Sequence, residues 1–307
     1  MYKLISVPID RSTESRHALP MAVRIAQRAN CPIELVHVAF PPALATELYG
    51  AAVLREHDVE EMRRAAAEQL RVMAANLERL GVRARPVALV GGSLPKTLAD
   101  HLRESNSDLV VMTTHDRNRL EHLLLGSVAE SVVRRARVPV LLLRASDKEP
   151  DLEHAPDIRH MLISLDGSAF AAEITRPAIE LAKLLGAHVS LISVLEPVLA
   201  TAAAAAVEGG GLTRRLDAGD GPPLDTELLE RAAEPLRARG LAVQTAALVD
   251  GEPARAIVDY ATHHGIDLIA MTTHGRGALK RLVAGSVSET VLRTWSGPML
   301  MYRPELR

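Results

Sequence analysis

The chain has few aromatic residues: Phe, Trp and Tyr together make up 2% of its 307 residues. Hydrophobic residues still reach 48%, so its cores must be built from Leu, Val, Ile, Ala and Met. It has a single cysteine, Cys31, which excludes an intramolecular disulfide. At the head of an apparent strand, Cys31 to Val38, a free thiol reads as a small hydrophobe. No apolar run reaches the roughly 20 residues of a membrane-crossing helix, and the alanine run from Ala202 to Ala206 is far too short. The opening Met1-Tyr2-Lys3-Leu4-Ile5-Ser6-Val7 is strand-like and has neither a signal-peptide apolar core nor a cleavage site. A formal net charge of −2 gives no electrostatic reason to expect nucleic acid or an anionic membrane as partner. These absences lead to the expectation of a cytoplasmic protein with no nucleic-acid and no membrane partner.

What is present, above all, is an internal repeat. Asp108-Leu109-Val110-Val111-Met112-Thr113-Thr114-His115 returns 159 residues later as Asp267-Leu268-Ile269-Ala270-Met271-Thr272-Thr273-His274. The match runs on without a gap to Gly126-Ser127-Val128-Ala129-Glu130 against Gly285-Ser286-Val287-Ser288-Glu289, and to Pro139 against Pro298. Upstream, Ile5 to Asp10 returns loosely as Ile163-Ser164-Leu165-Asp166. A period this long is a domain duplication: a first domain at 1–146, a linker at 147–157 marked by Pro150 and Pro156, and a second domain at 158–307.

Each copy alternates strand and helix signals. The first predicts strands at 4–9, 33–38, 82–90, 109–113 and 138–143, with helices near 18–26, 59–80, 94–103 and 127–135. Nearly continuous apolar strands separated by amphipathic helices mean a parallel sheet covered on both faces. The fold class is therefore α/β, two tandem doubly wound five-stranded parallel-sheet domains. In a sheet ordered 3-2-1-4-5 the first and fourth strands are neighbours across the topological switch point, where ligands bind. Asp10 and Asp166 close the first strands, and the Thr-Thr-His loops follow the fourth.

In the second copy that loop reads Thr272-Thr273-His274-Gly275, then nine residues, then Gly285-Ser286 opening a helix. Glycines let backbone amides approach a phosphate, and a helix N-terminus favours an anion. Arg276, Lys280 and Arg281 are available to add positive charge. Ser286 with Glu289, and Ser127 with Glu130, also have the S-x-x-E spacing of a capping box. A cap and a phosphate site are both open readings of the Gly-Ser step, and they are compatible.

Together these residues resemble the universal stress protein family, over essentially the whole chain as a tandem member: G-x2-G-x9-G-[S/T] after the fourth strand, with an Asp closing the first. The resemblance implies an adenine nucleotide alpha hydrolase-like fold that binds ATP, with Mg as the accompanying ion. The site residues it implies in the second copy are Ser164, Asp166, Val194, Met271, Thr272, Gly275, Gly285, Ser286 and Val287. In the first they are Pro8, Asp10, Val38, Met112, Gly126, Ser127 and Val128. Both copies depart from the pattern, because the first loop glycine is Thr113 or Thr272. The second glycine is kept as Gly275 but becomes Asp116 in the first copy. A carboxylate about 6 Å from a phosphate charge costs roughly 1–3 kcal/mol at an effective dielectric near 20, so triphosphate binding is expected chiefly in the second domain. A divalent ion bridging Asp116 to the phosphates would reverse that penalty.

Other motifs are set aside. Gly91-Gly92-Ser93-Leu94-Pro95-Lys96-Thr97 fails P-loop spacing and reads as a helix start. His263-His264 has no ligand partner at metal spacing, and no residue is placed as a general base, so no enzyme and no metal site is expected. The segment 199–223 is low in complexity and reads as a flap near the second site. The leading expectation is a stress-response regulator governed by an adenine nucleotide; the alternative is a non-nucleotide interaction module for a protein or another small ligand. The last strands of the two copies are edges able to pair within the chain as a pseudo-dimer, which leaves a homodimer open.

Overall fold

The computed structural model describes residues 2–10, 12–39, 56–114, 127–146, 148–195, 197, 223–273 and 286–304. The chain forms two compact units, Met1–Pro156 and Asp157–Arg307. The expectations placed on Asp116, His115, His274, Gly126, Gly275, Gly285, the basic loop residues and most of the 199–223 segment lie outside the described residues.

In the first unit the elements are β1 (Ile5–Pro8), α1 (Thr13–Arg16), α2 (Leu19–Ala29), β2 (Ile33–Ala39), α3 (Glu56–Arg79), β3 (Ala84–Val90), α4 (Leu94–Glu104), β4 (Leu109–Thr114), α5 (Ser127–Arg135) and β5 (Val140–Arg144). The second unit has β6 (His160–Ser164), α6 (Ala169–Ala172), α7 (Thr175–Leu185), β7 (His188–Leu195), α8 (Pro223–Arg237), β8 (Val243–Val249), α9 (Pro253–His263), β9 (Leu268–Thr272), α10 (Ser286–Thr294) and β10 (Met299–Tyr302). Within the units the strand orders are β3-β2-β1-β4-β5 and β10-β9-β6-β7-β8, both the expected 3-2-1-4-5, and every pairing is parallel. The central strands are apolar because helices cover both faces: β4 is buried from Leu109 to Thr113 and β9 from Leu268 to Thr272.

Two local features were not read from the sequence. The four-residue helices α1 and α6 are too short to leave a periodic signal; each is started by a serine, Ser12 or Ser168, whose hydroxyl accepts from the amide three residues on. Strand β5 begins at Val140 rather than Val138, because Pro139 has no N–H for the ladder. The carbonyls of Pro139 and Pro298 still accept from Val110 and Ile269.

At the amino ends of the strands one carboxylate does the same work in both copies. Asp108 accepts from the amides of Lys3 and Leu4, and Asp267 from those of Arg159 and His160. The start of the first strand is thereby pinned to the start of the fourth. Beside this clamp the units diverge. In the first, Glu34 on β2 is 1% exposed and collects a hydrogen bond of 2.9 Å from Ser6 Oγ, 2.8 Å from His101 Nε2 and 2.6 Å from Arg85, while Ser107 bridges Ser6 to Ser105. Burial pushes the Glu34 carboxyl up, but the hydrogen bonds and charges of His101, Ser6 and Arg85 outweigh it and hold it below the usual carboxylate range. In the second unit the same register position on β7 is Ser190, which shares a 2.8 Å hydrogen bond with buried His160. The His160 and His188 rings lie 3.8 Å apart. Burial and His188 lower the pKa of His160.

Candidate functional site

The switch point lies between β1 and β4, and between β6 and β9. Pairing of β1 with β2 continues to Pro8↔Val36, whereas pairing with β4 stops at Ser6↔Val110. In the second unit β6 pairs with β7 to Ser164↔Ile192, but with β9 only to Ile163↔Ala270. The paired stretch therefore ends short of the carboxyl end of the first strand in both copies, leaving a crevice of the kind that accepts ligands in doubly wound sheets.

Of the residues singled out in the second copy, Ser164 ends β6 and Asp166 follows two residues on, both half-buried. Val194 stands half-buried near the end of β7, and Met271 and Thr272, each 7% exposed, close β9. Val287 is half-buried in the first turn of α10. Ser286 is the first helical residue, and only its backbone is described. The structure thus brings Ser164, Asp166, Val194, Met271, Thr272 and Val287 to one end of one sheet. Asp166 is held firmly: Oδ1 accepts from Ser168 N at 2.9 Å and from Ser168 Oγ, and Ser168 accepts in turn from Ala171 N at 3.0 Å. Gly167 turns the chain there with φ +73°.

The first copy repeats the frame. Asp10 Oδ1 accepts from Ser12 N at 2.8 Å and from Ser12 Oγ, and Ser15 Oγ accepts from Asp10 N. Pro8 ends β1, Val128 stands in the first turn of α5, and Met112 is 4% exposed. Val38 is 5% exposed, where its counterpart Val194 is half-open. Ser127 opens α5, again described by backbone alone.

Glu130 pairs forward with Arg134 at 3.5 Å, and Glu289 with Arg293. Each carboxylate is engaged one turn further into its helix, with each serine already the first helical residue. A reciprocal box would turn the carboxylate back toward the cap.

A model of the universal stress protein family matches residues 1–144 and again 157–303. The chain belongs to the universal stress protein family. A universal stress protein of Mycobacterium tuberculosis is 28% identical over 315 residues, covering 97% of this chain and 96% of that one. Another, from Mycolicibacterium smegmatis, is 25% identical over 319 residues, covering 98% and 97%. The crystal structure of a universal stress protein from Archaeoglobus fulgidus has the same fold, with a TM-score of 0.70, 21% identity and 98% coverage of both chains.

Three groups in this universal stress protein were not foreseen as site features. Thr113 Oγ1, Arg16 Nε and Ser131 Oγ are buried without a hydrogen-bond partner. All three are in the first unit, and among the described residues the second unit has none. A buried donor or acceptor left unmade costs about 1–3 kcal/mol, so such groups call for a reason. Thr113 is the penultimate residue of β4 and 2% exposed. Arg16, half-buried, ends α1, which packs against β4. The sequence signal was available in part: Arg16 stands where the second copy has Ala172.

The motifs set aside behave as structural parts. Ser93, Leu94 and Pro95 start α4 with proline in its first turn. A side chain on Gly91 would meet Thr97 Oγ1 at 2.1 Å; the second unit carries Asp250 and Ala256 at the corresponding positions, with the crowding relieved. His263 and His264 are exposed at the end of α9, each bonded to a carbonyl one turn back, and His264 stacks on Tyr260 at 3.8 Å. Among the described residues no three His, Cys, Asp or Glu side chains gather as a metal site, and no helix is long and apolar enough to cross a membrane. Cys31 is buried, and burial raises its thiol pKa.

Proposed function

We propose that this universal stress protein is a cytoplasmic, non-catalytic stress-response regulator that binds ATP with Mg, chiefly in its second unit. The observation that carries the reading is Asp166, fixed by Ser168 just past the carboxyl end of β6, the neighbour of β9, which closes with Met271 and Thr272. A carboxylate held there is placed to accept ribose hydroxyls, and half-open Val194 offers apolar surface to an adenine. From Thr272 the chain leads into Gly275, Gly285 and Ser286, whose amides, with the start of α10, are suited to phosphate.

Isothermal titration and native mass spectrometry test the reading. The expected result is one tight ATP site per chain, weakened at least about tenfold by Asp166→Ala, as for the loss of hydrogen bonds to a charged group. Absence of bound nucleotide, together with no rise in melting temperature on adding ATP, would sink it. An enzyme would instead show turnover abolished by a single crevice substitution.

A further inference from the structure

We propose that the segment joining the two units is a pH-sensitive strap, latched along the first unit while the His17 ring carries both its protons and loosened when it carries one. Residues 145–156 fall between the two stretches that the family model matches, and they belong to the first compact unit. Side chains of two helices fasten them there. His17, which follows α1, brings Nε2 to Ser146 Oγ at 3.1 Å and to the Lys148 carbonyl at 2.7 Å. Arg24 on α2 donates from Nη1 to the Pro156 carbonyl at 2.8 Å. Between the fastenings the strap turns on Asp151, which accepts from Glu153 N at 2.9 Å and meets His154 Nδ1 at 2.8 Å.

The His17 ring has carbonyls on both sides. Its Nδ1 lies 3.2 Å from the Thr13 carbonyl and 3.3 Å from that of Glu14, while Nε2 faces the strap. A carbonyl oxygen only accepts, so each nitrogen needs a proton to bond. The imidazolium has both; neutral imidazole has one, and turns its bare nitrogen on oxygen lone pairs. The last carbonyls of a helix such as α1 also favour a cationic side chain. Among the described residues, the charged side chains on the segments meeting here are Glu14 and Arg16 on α1, Arg24 on α2, Arg144 ending β5, and Lys148 and Glu149 on the strap. Glu14 and Lys148 meet the ring through their carbonyls. Raising the pH therefore removes one set of bonds, either the ring's hold on α1 or its hold on the strap. At the matching helix end the second unit has Glu173, whose carboxylate cannot donate.

The test uses the full chain without nucleotide, so it is independent of the ATP reading. Cys31 is buried, and a nitroxide on exposed Glu149→Cys reports strap motion by electron paramagnetic resonance from about pH 5.5 to about pH 8.5. The label should be slow at the acid end, with the ratio of mobile to slow label rising about tenfold by the alkaline end, as for one lost hydrogen bond to a charged group. Nitrogen NMR should show two ring N–H groups on His17 at the acid end and one at the alkaline end. His17→Ala should leave the label mobile throughout. His17→Arg, a permanent cation with a planar fork of donors, should keep it slow throughout. His154→Gln should leave the transition in place, since that ring meets Asp151 within the strap itself. A label indifferent to pH overturns the proposal, as does a transition that survives His17→Ala or disappears in His154→Gln. Should His17→Ala unfold, His17→Arg still decides: a label that loosens with pH in that chain overturns it equally.

Discussion

The second residue of β2 is a buried glutamate, Glu34, and its counterpart on β7 is Ser190. Around Glu34 the first unit has gathered Ser6, Ser107, His101 and Arg85; the second unit fills the matching positions with Leu162, Ile266, Tyr260 and Gln244, and needs only His160 to satisfy its serine. At the other end of the sheet the contrast runs the same way: the first unit carries Arg16 and Thr113 with unmade hydrogen bonds, and the second carries Ala172 and Thr272 with none. One backbone plan thus tolerates two polar inventories, because each substitution is matched by its neighbours. Such sets drift together after a duplication, since a half-satisfied buried network is worse than none.

The largest expected break in this contrast is Glu34→Ala. Removing one partner of a buried charge cluster costs about 3–5 kcal/mol; Arg85 is 55% exposed and can rehydrate, so about 3 kcal/mol is expected. The loss should fall on the first unit. Trp295, the single tryptophan, lies 8% exposed in the second unit, so its fluorescence transition should stay put while the circular dichroism melt acquires an earlier phase. The same carboxylate sets an acid limit. Its folded pKa is lowered, so its stabilisation is present above the unfolded value of about 4.3 and lost as pH falls through the folded one. His160, also lowered, must stay neutral in the folded second unit, so its contribution is lost from about pH 6.5 downward. The Trp295 transition should therefore weaken first on acidification, and His160→Gln should flatten that slope.

Next in size is Gly275→Asp, which copies the first unit's loop into the second. By the charge argument above it should weaken ATP by roughly tenfold to a hundredfold, measured by titration; unchanged affinity would remove the loop from the site. A smaller effect is expected of Gly91→Ala. The new Cβ meets a stiff, β-branched Thr97, and overpacking of this kind costs about 1–3 kcal/mol. Thr97→Ala in the same chain should restore the melting temperature, reproducing the pairing of Asp250 with Ala256. Smallest are the left-handed helix ends. Asn30 and Asn106 have φ 51° and 55°, where the second unit has Gly186 and Gly265 at 73° and 60°. Gly265→Ala should cost about 1 kcal/mol or slightly more, and Gly265→Asn distinctly less, since asparagine already holds that conformation in the first unit.

The sequence alone determined the duplication and the parallel α/β plan of alternating strands and helices. Those features are local: apolar runs, helical spacing and a repeated Asp and Thr-Thr pair are visible without knowing what touches what. It also singled out Asp166, Val194, Met271 and Thr272, which the fold then brought to one end of one sheet. The tertiary structure decided the rest, because the partners are remote in the chain. Ser6 meets Ser107 across 101 residues and His101 meets Glu34 across 67, and no periodicity announces either pairing. Whether Arg16 is a solvated surface charge or a half-buried donor without an acceptor depends on a four-residue helix and the strand it covers. Burial turns a residue type into a physical demand, and burial exists only once the chain has folded.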